Sequence, residues 1–506
     1  MFNYKLYLFL ILKFLVIIFV NNTEISFNIN DLDKIENYSY DSNSLEIKSK
    51  YNYTTIKSCL YTTKINLTES DKNIFYIHDY CDLKLNQLSI IKEGETNDIK
   101  KSEEKGINSA ILVSNFSSSI IFNTTIKTNG IGAHAIFLAG NTSYIKIYNS
   151  SIITYQSNSK GLVSKSKNLI QADEVEIITT NNTSSALYCD SSEITCYNST
   201  LTTIGNKSPI IFSIGKVTIE KVIGTALHSN MIILKNKNSV YVKDSKLYCN
   251  AEGITQSKID FAGIFIYDSN LINNNSTNIF VAYNSSFNIL PGNNNFYYNT
   301  SMFSVANANA TITLLGHNNF SLGIKNFLIV NNDNSQTINS NVVLFLKGEN
   351  IKGNINSGLN SIIDIYLTEN STLKGVLNNN SGVINLHIDS TSTLNLTNVS
   401  YINNLFSKGT INKKYFLTFV EENEQFIYPD IILPNITSLN KINEDVECNK
   451  TSPPNSTKEN NDDSSREESS NDLEKNLDIN NNENNQNNGK ILNFKFLFLL
   501  FIIHFI

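Results

Sequence analysis

Seven segments share one pattern of hydrophobic and polar positions, apolar–x–apolar–x–polar, usually followed by an apolar residue three positions later. They are Leu83–Gln87, Ser119–Asn123, Ile145–Asn149, Leu169–Asp173, Ile194–Asn198, Val217–Lys221 and Val240–Asp244. From Asn123 onward the polar residues follow at intervals of 26, 24, 25, 23 and 23 residues. A drifting period near 25 with a short alternating strand in each unit is typical of a β-solenoid. We therefore predict an all-β protein built from stacked parallel coils.

Equivalent residues of successive coils should form columns inside this solenoid. The residues two positions before the polar site are Leu85, Ile121, Ile147, Gln171, Cys196, Ile219 and Val242, and those three positions after it are Ile90, Ile126, Ile152, Glu176, Leu201, Gly224 and Leu247. Alternate side chains of a strand share a face, so each column predicts an aliphatic row in the core. The Asp173 coil interrupts both columns. We predict a one-residue shift there that turns Val175 and Ile177 inward.

The N-terminal half of the chain begins with segments outside this repeat. Residues 1–22 predict a secretory signal peptide, because a charged start precedes the apolar run Leu6–Val20; a retained signal anchor is the alternative. Residues 23–57 lack a clear period and are interpreted as an N-terminal cap or irregular segment. Residues 58–430 are interpreted as a parallel β-helix. The sequence shows no α-helical periodicity of useful length there. The charged insert 93–106 separates the first two repeats, and we expect a solvated loop there.

The C-terminal end predicts attachment to a membrane. Residues 431–490 are rich in Asn, Ser and acidic residues with few apolar ones, which indicates a disordered stalk. Residues 491–506 form a short apolar run after a polar spacer, the layout of a glycosylphosphatidylinositol (GPI) anchor signal. A retained tail anchor is the alternative. The candidate attachment residues are Asn480, Asn481, Asn482 and Asn484.

Composition limits the classes of partner. The formal net charge is −6, the isoelectric point is near 5.7, and the single arginine, Arg466, lies in the stalk. Nucleic acid is not an expected partner, because phosphate binding requires clustered Lys and Arg. The abundance of Asn has two interpretations that are compatible with each other. It reflects an AT-rich genome, and it supplies stacked amide ladders in the turns of a solenoid.

Several phrases resemble bacterial secreted pectin-lyase-like proteins, which are right-handed parallel β-helices often described as adhesin-like. The matching phrases are Ala135–Gly140, Tyr148–Thr154, Ser208–Ile219, Lys237–Ser245 and Val383–Thr397. The resemblance covers residues 58–415 and implies a right-handed parallel β-helix, but no common reaction. The anchor signal and the stalk depart from that family and indicate a eukaryotic surface protein.

Catalytic and metal-binding patterns are weak in this sequence. The resemblance implies that an enzyme of this fold would be a polysaccharide lyase with a basic residue and calcium-binding carboxylates, or a hydrolase with clustered Asp. The β-helix contains no Arg, and its acidic residues are scattered, for example Asp173, Asp244, Asp268 and Asp389. The histidines stand singly, at His78, His134, His228, His317 and His387. We expect no enzyme, no cofactor and no metal, with a lyase kept as an alternative.

Secretion would expose the cysteines to oxidation and the asparagine sequons to glycosylation. Cys59 and Cys81 are a candidate disulfide across the first coils. Cys189 and Cys196 are a second candidate pair, although Cys196 occupies a core column where a buried thiol fits equally well. The candidate glycosylation sites are Asn37, Asn52, Asn66, Asn115, Asn123, Asn141, Asn149, Asn198, Asn284, Asn299, Asn319, Asn370, Asn398 and Asn435. We expect Asn123, Asn149 and Asn198 to be packed in the turns, which would hinder their modification.

These observations favour a non-enzymatic protein of the cell surface or cell wall. The first hypothesis is a GPI-anchored adhesin or cell-coat contact module whose partners are glycans or surface proteins of a neighbouring or host cell. Tyr148, Tyr188 and Tyr248 are candidates for stacking on sugars, although tyrosine also simply suits strands. The second hypothesis is a structural component of a cell or spore wall that self-associates, since open strand edges invite pairing.

Overall fold

The computed structural model describes residues 38–41, 44–48, 53–57, 63–250, 262–268, 277–290, 300–321, 325–331, 340–378 and 382–423. All of them belong to the first of two compact units, residues 1–445; the second unit, residues 446–506, lies outside the described residues. The predicted signal peptide, stalk and anchor signal therefore also lie outside them. Within the described ranges, no helix has the length and apolar character to span a bilayer.

The described part of the first unit is a parallel β-helix, as predicted. Each coil contributes strands to three sheets, and every strand pair is parallel except the hairpin of β1 (Tyr38–Asp41) and β2 (Ser44–Lys48). Four long strands bend from one sheet into the next: β12 (Tyr144–Thr154) and β14 (Leu169–Thr179) join the second and third sheets, whereas β15 (Leu187–Tyr197) and β17 (Ile211–Glu220) join the first and second.

The remaining strands fall into the three sheets by their pairing. The first sheet continues with β5 (Phe75–His78), β8 (Ile111–Val113), β11 (Ile136–Leu138), β13 (Leu162–Lys165), β19 (Ile232–Lys235), β22 (Ala262–Tyr267), β25 (Ser301–Ala306), β28 (Asn326–Asn331), β31 (Asn354–Ser357) and β34 (Leu377–Asn378), followed by the separate pair β37 (Ser400–Tyr401) and β40 (Leu417–Thr418). The second sheet contains β3 (Tyr53–Lys57), β6 (Asp82–Asn86), β9 (Ser118–Phe122), β20 (Ser239–Lys243), β23 (Asn278–Tyr283), β26 (Ala310–Leu315), β29 (Asn341–Lys347), β32 (Ile362–Thr368), β35 (Val383–Ile388), β38 (Asn404–Ser407) and β41 (Glu421–Asn423). The third sheet contains β4 (Thr63–Leu67), β7 (Leu88–Lys92), β10 (Thr125–Thr128), β16 (Thr200–Thr203), β18 (Ile223–Ala226), β21 (Lys246–Asn250), β24 (Ser286–Leu290) and β27 (Asn319–Phe320), followed by a separately paired group of β30 (Asn350–Lys352), β33 (Thr372–Gly375), β36 (Thr393–Leu396) and β39 (Thr410–Asn412).

The interior columns agree with the sequence pattern, including the irregular coil. Leu85, Ile121 and Leu201 are among the column residues with no exposed surface. In the Asp173 coil, Val175 is 2% exposed and Ile177 is fully buried, so the predicted one-residue shift is confirmed. The shift preserves the apolar row, which is the strongest constraint on strand register.

The turn between the second and third sheets explains why Asn is followed by Ser or Thr so often. The Asn residue takes a left-handed conformation, as at Asn149 (φ 45°) and Asn198 (φ 44°), which Asn tolerates better than most residues. The next residue points inward and forms what we call the hydroxyl ladder: Thr124, Ser150, Ser199, Ser245, Ser285, Ser371 and Ser392. Each ladder oxygen accepts a backbone N–H from the preceding coil, at 3.0–3.5 Å. The ladder thus satisfies buried amides at a turn that the sheets leave unpaired.

Replacing Asn198 with alanine tests the turn. Asn198 Nδ2 donates to Asp173 Oδ1 at 2.9 Å, and the left-handed backbone disfavours alanine. We expect Asn198→Ala to reduce the free energy of unfolding by about 1–2 kcal/mol, measured by denaturant titration of unglycosylated protein. Asn198→Gly, which keeps the conformation but loses the amide, should cost clearly less. Equal losses would contradict a conformational role.

The charged insert differs from the expected solvated loop. Residues Ile99–Lys105 form a helix, α1, which begins at Asp98, whose side chain accepts the Lys101 N–H, and ends at Gly106 in a left-handed conformation (φ 71°). Seven residues alone make an unstable helix in water, so packing against the coils must stabilise it. Ser102 is fully buried, which shows that α1 lies against the β-helix. The only other helix in the described part of the chain is a 3₁₀ turn, Lys414–Phe416.

Parallel pairing starts earlier than the boundary predicted at residue 58. Strand β2 (Ser44–Lys48) pairs with β5, and β3 (Tyr53–Lys57) pairs with β6, both in parallel. The interval 23–57 therefore contains coil strands in addition to the antiparallel strand β1. The described strands in this interval are short and contain few apolar residues, so the sequence period is weak there. The last described strand, Glu421–Asn423, falls within the predicted end at residue 430.

Candidate binding surface

The outer face of the first sheet carries an unusual column of apolar and aromatic side chains. Strand register aligns these residues coil by coil as Leu112, Phe137, Val163, Tyr188, Phe212, Ile233 and Phe265. Outward positions of a solenoid strand are normally polar, because they face water. An apolar column on the outside therefore requires a cover or a partner.

Helix α1 covers the first part of this column. Leu112, Phe137 and Val163 form a small apolar cluster outside the main core, and Phe137 has no exposed surface. Gly106, at the end of α1, approaches so closely that a Cβ there would lie 2.5 Å from Phe137 Cδ1. Glycine is therefore required at this position by both the close approach and the left-handed backbone.

A set of hydrogen bonds beneath α1, which we call the clasp, joins Ser102 of the helix to Gly132, His134 and Lys160 of the coils. His134 lies at its centre and is fully buried. Its Nδ1 accepts the backbone N–H of Lys160 at 3.1 Å, so Nε2 carries the ring proton and faces Ser102 Oγ at 3.3 Å. Ser102 Oγ in turn donates to the Gly132 carbonyl at 2.5 Å. Burial, with the nearby Lys160 and Lys165, holds the pKa of His134 well below its ordinary value, and His134 is neutral.

This arrangement does not activate the serine as a nucleophile. A general base must accept the hydroxyl proton, whereas His134 Nε2 already bears a proton and its other nitrogen is occupied by a backbone amide. The Ser102 hydroxyl points at a carbonyl, and neither group is open to solvent. The cluster therefore serves to hold α1 against the coils.

Ion pairs secure the exposed edge of the clasp. Glu103 Oε1 lies 2.9 Å from Lys160 Nζ, and the Glu103 carbonyl accepts from Lys165 Nζ at 3.1 Å. Burial lowers the pKa of Lys160, while Glu103 opposes that change. Lys165 also lies 3.4 Å from Asp190. Lys160 and Lys165 are thus both paired with acidic residues.

The clasp should weaken in acid. Lys160 and Lys165 disfavour an added positive charge on His134, whereas the hydrogen bond with Ser102 favours it without outweighing burial and the two lysines. Because the folded pKa of His134 is lowered, the open state binds a proton first as the pH falls below about 6.5. Stability is therefore lost from about pH 6.5 downward, until the folded pKa is reached, by up to about 1.4 kcal/mol per pH unit.

Hydrogen exchange of residues 99–106 measures this effect. After correction for the intrinsic rate, we expect exchange in this segment to accelerate by up to about tenfold per pH unit below 6.5. His134→Phe, which keeps a ring but cannot titrate, should flatten the dependence. The same acceleration in the variant would show that another group controls the opening.

Beyond α1, the column becomes partly open. Tyr188 and Phe212 are half-buried and stack with ring centroids 5.3 Å apart, and Lys160 Nζ lies 5.1 Å from the Tyr188 ring centroid. Farther along, Phe265 stacks on Tyr267 at 4.9 Å, and Lys235 lies over Tyr267 at 5.2 Å. Burial raises the pKa of both tyrosines, so their hydroxyls remain protonated donors at neutral pH. Rings and hydroxyls therefore share one face.

The three tyrosines expected to stack on sugars have different environments. Tyr188 belongs to the column just described. Tyr148 lies on the second sheet, where it stacks on Phe122 at 5.4 Å, and Tyr248 lies half-buried on the third sheet. Another ring column, which sequence reasoning missed, runs along the second sheet through Tyr366, His387 and Phe406. The spacing of 21 and 19 residues between these rings was the feature of the sequence that could have revealed this column.

The predicted Cys189–Cys196 disulfide is absent, and both residues are thiols. Each is fully buried, and burial raises both pKa values to about 12, so neither thiol is reactive at neutral pH. Of the two alternatives for Cys196, the buried core thiol is the observed one. Cys81 is buried as well, while its proposed partner Cys59 lies outside the described residues.

Most predicted glycosylation sites that the structure describes are exposed. The exposed ones are Asn115, Asn123, Asn141, Asn149, Asn198, Asn284, Asn319, Asn370 and Asn398, whereas Asn66 is half-buried. The expectation that Asn123, Asn149 and Asn198 are packed was wrong, because the left-handed turn directs their side chains outward. The amides of Asn123 and Asn149 nevertheless pair between coils, as Asn149 Nδ2 donates to Asn123 Oδ1 at 2.6 Å, whereas Asn198 donates to Asp173. Asn37, Asn52, Asn299 and Asn435, like the anchor candidates Asn480, Asn481, Asn482 and Asn484, lie outside the described residues.

Acidic residues and histidines are dispersed over the described coils. In that part of the chain, no group of three or more His, Cys, Asp or Glu side chains lies close enough to hold a metal ion. His78 pairs with Asp79, His134 is held in the clasp, and His387 stacks between two rings. Of the described surfaces, the column of the first sheet therefore has the clearest features of a binding site.

Comparison with known proteins adds no relative: no family model, curated protein or solved structure matches the chain.

Proposed function

We propose that this chain is a secreted, surface-anchored and non-enzymatic β-helix protein that acts as an adhesin or cell-coat contact module. Its partners would be glycans or surface proteins of a neighbouring or host cell, and a GPI anchor would hold it at the membrane. The observation that supports this proposal best is the stacked pair Tyr188 and Phe212 in the column of the first sheet. Both rings are half-buried and remain partly exposed to water on an outer face of the β-helix.

The chemistry of this column suits contact with a partner. Aromatic rings supply much apolar area at a low entropic cost, and a protonated tyrosine hydroxyl adds a hydrogen bond. The ions beside Tyr188 form the pairs Lys160–Glu103 and Lys165–Asp190, so this part of the surface has little net charge to attract a polyanion. This argues for neutral glycan or protein partners over the acidic polymers that a lyase would cleave.

A structural role in a cell or spore wall is the alternative, and one observation favours it. Val399, Tyr401 and Val420 are 43%, 47% and 77% exposed near the last described coils. Exposed apolar side chains promote self-association.

One experiment separates these roles. The purified protein is tested for binding to a glycan panel and to intact cells, while size-exclusion chromatography follows its oligomeric state at several concentrations. Saturable binding by a monomer would support the contact module. Self-assembly that depends on concentration, without binding, would support the wall component. Cleavage of uronic-acid polymers in the presence of calcium would overturn both.

A further inference from the structure

A pair of exposed aromatic rings lies at the turn between the first and second sheets in the first coils. Tyr80 is 63% exposed and Phe116 is 47% exposed. They belong to neighbouring coils, since the Tyr80 N–H donates to the Asn115 carbonyl at 3.2 Å. Their rings are nearly parallel, with centroids 5.1 Å apart and an interplanar angle of 6°. Together they form one stacked apolar surface that points into solvent.

The backbone beneath these rings is unusual for aromatic residues. Tyr80 (φ 65°) and Phe116 (φ 61°) are both left-handed. That conformation is uncommon for a bulky side chain and costs about 1–3 kcal/mol. Where the same turn recurs in later coils, exposed lysines occupy the corresponding left-handed position, at Lys167 (φ 64°) and Lys237 (φ 68°). The turn itself therefore does not require rings, and only these two described coils present aromatic residues there.

Polar groups border the ring pair on one side. The Asp79 side chain is 56% exposed, and its Oδ2 lies 2.8 Å from His78 Nδ1. Asn115 Nδ2 donates to Asp79 Oδ1 at 3.3 Å. An exposed carboxylate accepts hydrogen bonds and donates none, so it selects ligands that carry hydroxyl donors. It also repels ligands that carry a carboxylate or a sulfate.

We propose that Tyr80, Phe116 and Asp79 form a binding site for a neutral pyranose residue of a glycan. The apolar C–H face of the sugar would pack on the two rings, and its hydroxyls would donate to Asp79. Burying part of this exposed apolar surface supplies the binding energy. The inference rests on the proposed contact function and assigns its ligand class, at a site separate from the column on the first sheet.

The test uses the protein produced in a bacterial host, so that the sequon at Asn115 carries no glycan that could cover the rings. Neutral oligosaccharides and their uronic-acid counterparts are titrated against the parent protein and against Tyr80→Asn/Phe116→Asn. Asparagine is chosen because it tolerates the left-handed backbone and should leave the fold intact. Tyr401→Asn removes a ring of similar exposure (47%) in a distant coil and serves as the matched control. Circular dichroism and melting curves confirm that each variant, including Asp79→Asn, is folded.

We expect the double variant to lose at least tenfold in affinity for neutral oligosaccharides, while Tyr401→Asn retains the parent value. Asp79→Asn should lower the affinity for neutral sugars several-fold and reduce the discrimination against uronic acids. Unchanged neutral-glycan affinity in the double variant would overturn this site but leave the contact function intact. Equal affinity of the parent for uronic acids would overturn the ligand class. Absence of binding to every glycan on the panel would overturn this site together with its glycan-binding premise.

Discussion

Replacing Phe303 with alanine is expected to lower the free energy of unfolding of the coils around it by about 3–5 kcal/mol. Phe303 is fully buried in β25, and its ring centroid lies 5.4 Å from that of Phe280 and 5.5 Å from that of Phe327. Both contacts are edge-on, the geometry that aromatic pairs prefer. Alanine would leave a cavity that the flanking sheets cannot close.

The loss should be local, because each coil contacts only its neighbours. Hydrogen exchange is expected to accelerate in β22 and β28, which pair with β25, and to remain unchanged at Ile121 and Ile147. Phe303→Leu keeps most of the volume and should cost less than half as much. A uniform acceleration along the chain would show that the coils unfold as one cooperative unit, contrary to this expectation.

Replacing Lys92 with methionine should remove a pH dependence of stability between about pH 8 and 10.5. Lys92 has no exposed surface, and its Nζ donates to the carbonyls of Glu69 at 2.6 Å and Gly94 at 3.2 Å. Burial lowers the pKa of Lys92 from 10.5 to about 8, although Asp71 and Glu69 oppose the change. Between these two values the unfolded chain binds a proton that the folded chain does not. Stability therefore rises with pH through this window, by about 3 kcal/mol for the whole shift.

Denaturant titrations of the parent and of Lys92→Met between pH 7 and 11 measure this contribution as a difference, which cancels groups common to both proteins. We expect the parent to gain about 3 kcal/mol relative to the variant across the window. Lys64→Met, at an exposed position, supplies the control for the loss of a lysine side chain. A flat difference for Lys92→Met would mean that water reaches the ammonium group.

The sequence was sufficient to predict the coils because the repeat carries its own register. The apolar columns have a period of two within each strand and about 25 between coils, and a shift by one residue would expose every core side chain. This is why even the irregular Asp173 coil was predicted correctly through Val175 and Ile177. The charge and sequon patterns contain no such redundancy, so they were less informative about packing.

Helix α1 was missed for a physical reason. Its capping residues, Asp98 and Gly106, were visible in the sequence, but the helix is too short to be stable without its contacts. Those contacts are made by His134 and Lys160, which lie in later coils. Only the stacking of coils brings them beneath the insert. A local pattern could not reveal this.

The alignment of Tyr80 with Phe116 could have been inferred from the sequence. Gln87 and Asn123 were already aligned at an offset of 36 residues, and the same offset relates Tyr80 to Phe116. What the sequence did not show is that both rings occupy left-handed positions in a turn and face solvent. The three-dimensional course of the turn decides whether two aligned aromatics are core residues or a surface feature.

The hydroxyl ladder makes the length of this protein modular. Each ladder oxygen accepts an amide from the coil before it, and Ser150, for example, donates to a carbonyl of its own coil. If the coil that contains Ser245 were excised at the turn, Ser285 would arrive opposite the Val222 amide and re-form the same bond. Deletion or duplication of a whole coil can therefore change the length of the β-helix without requiring a new turn sequence.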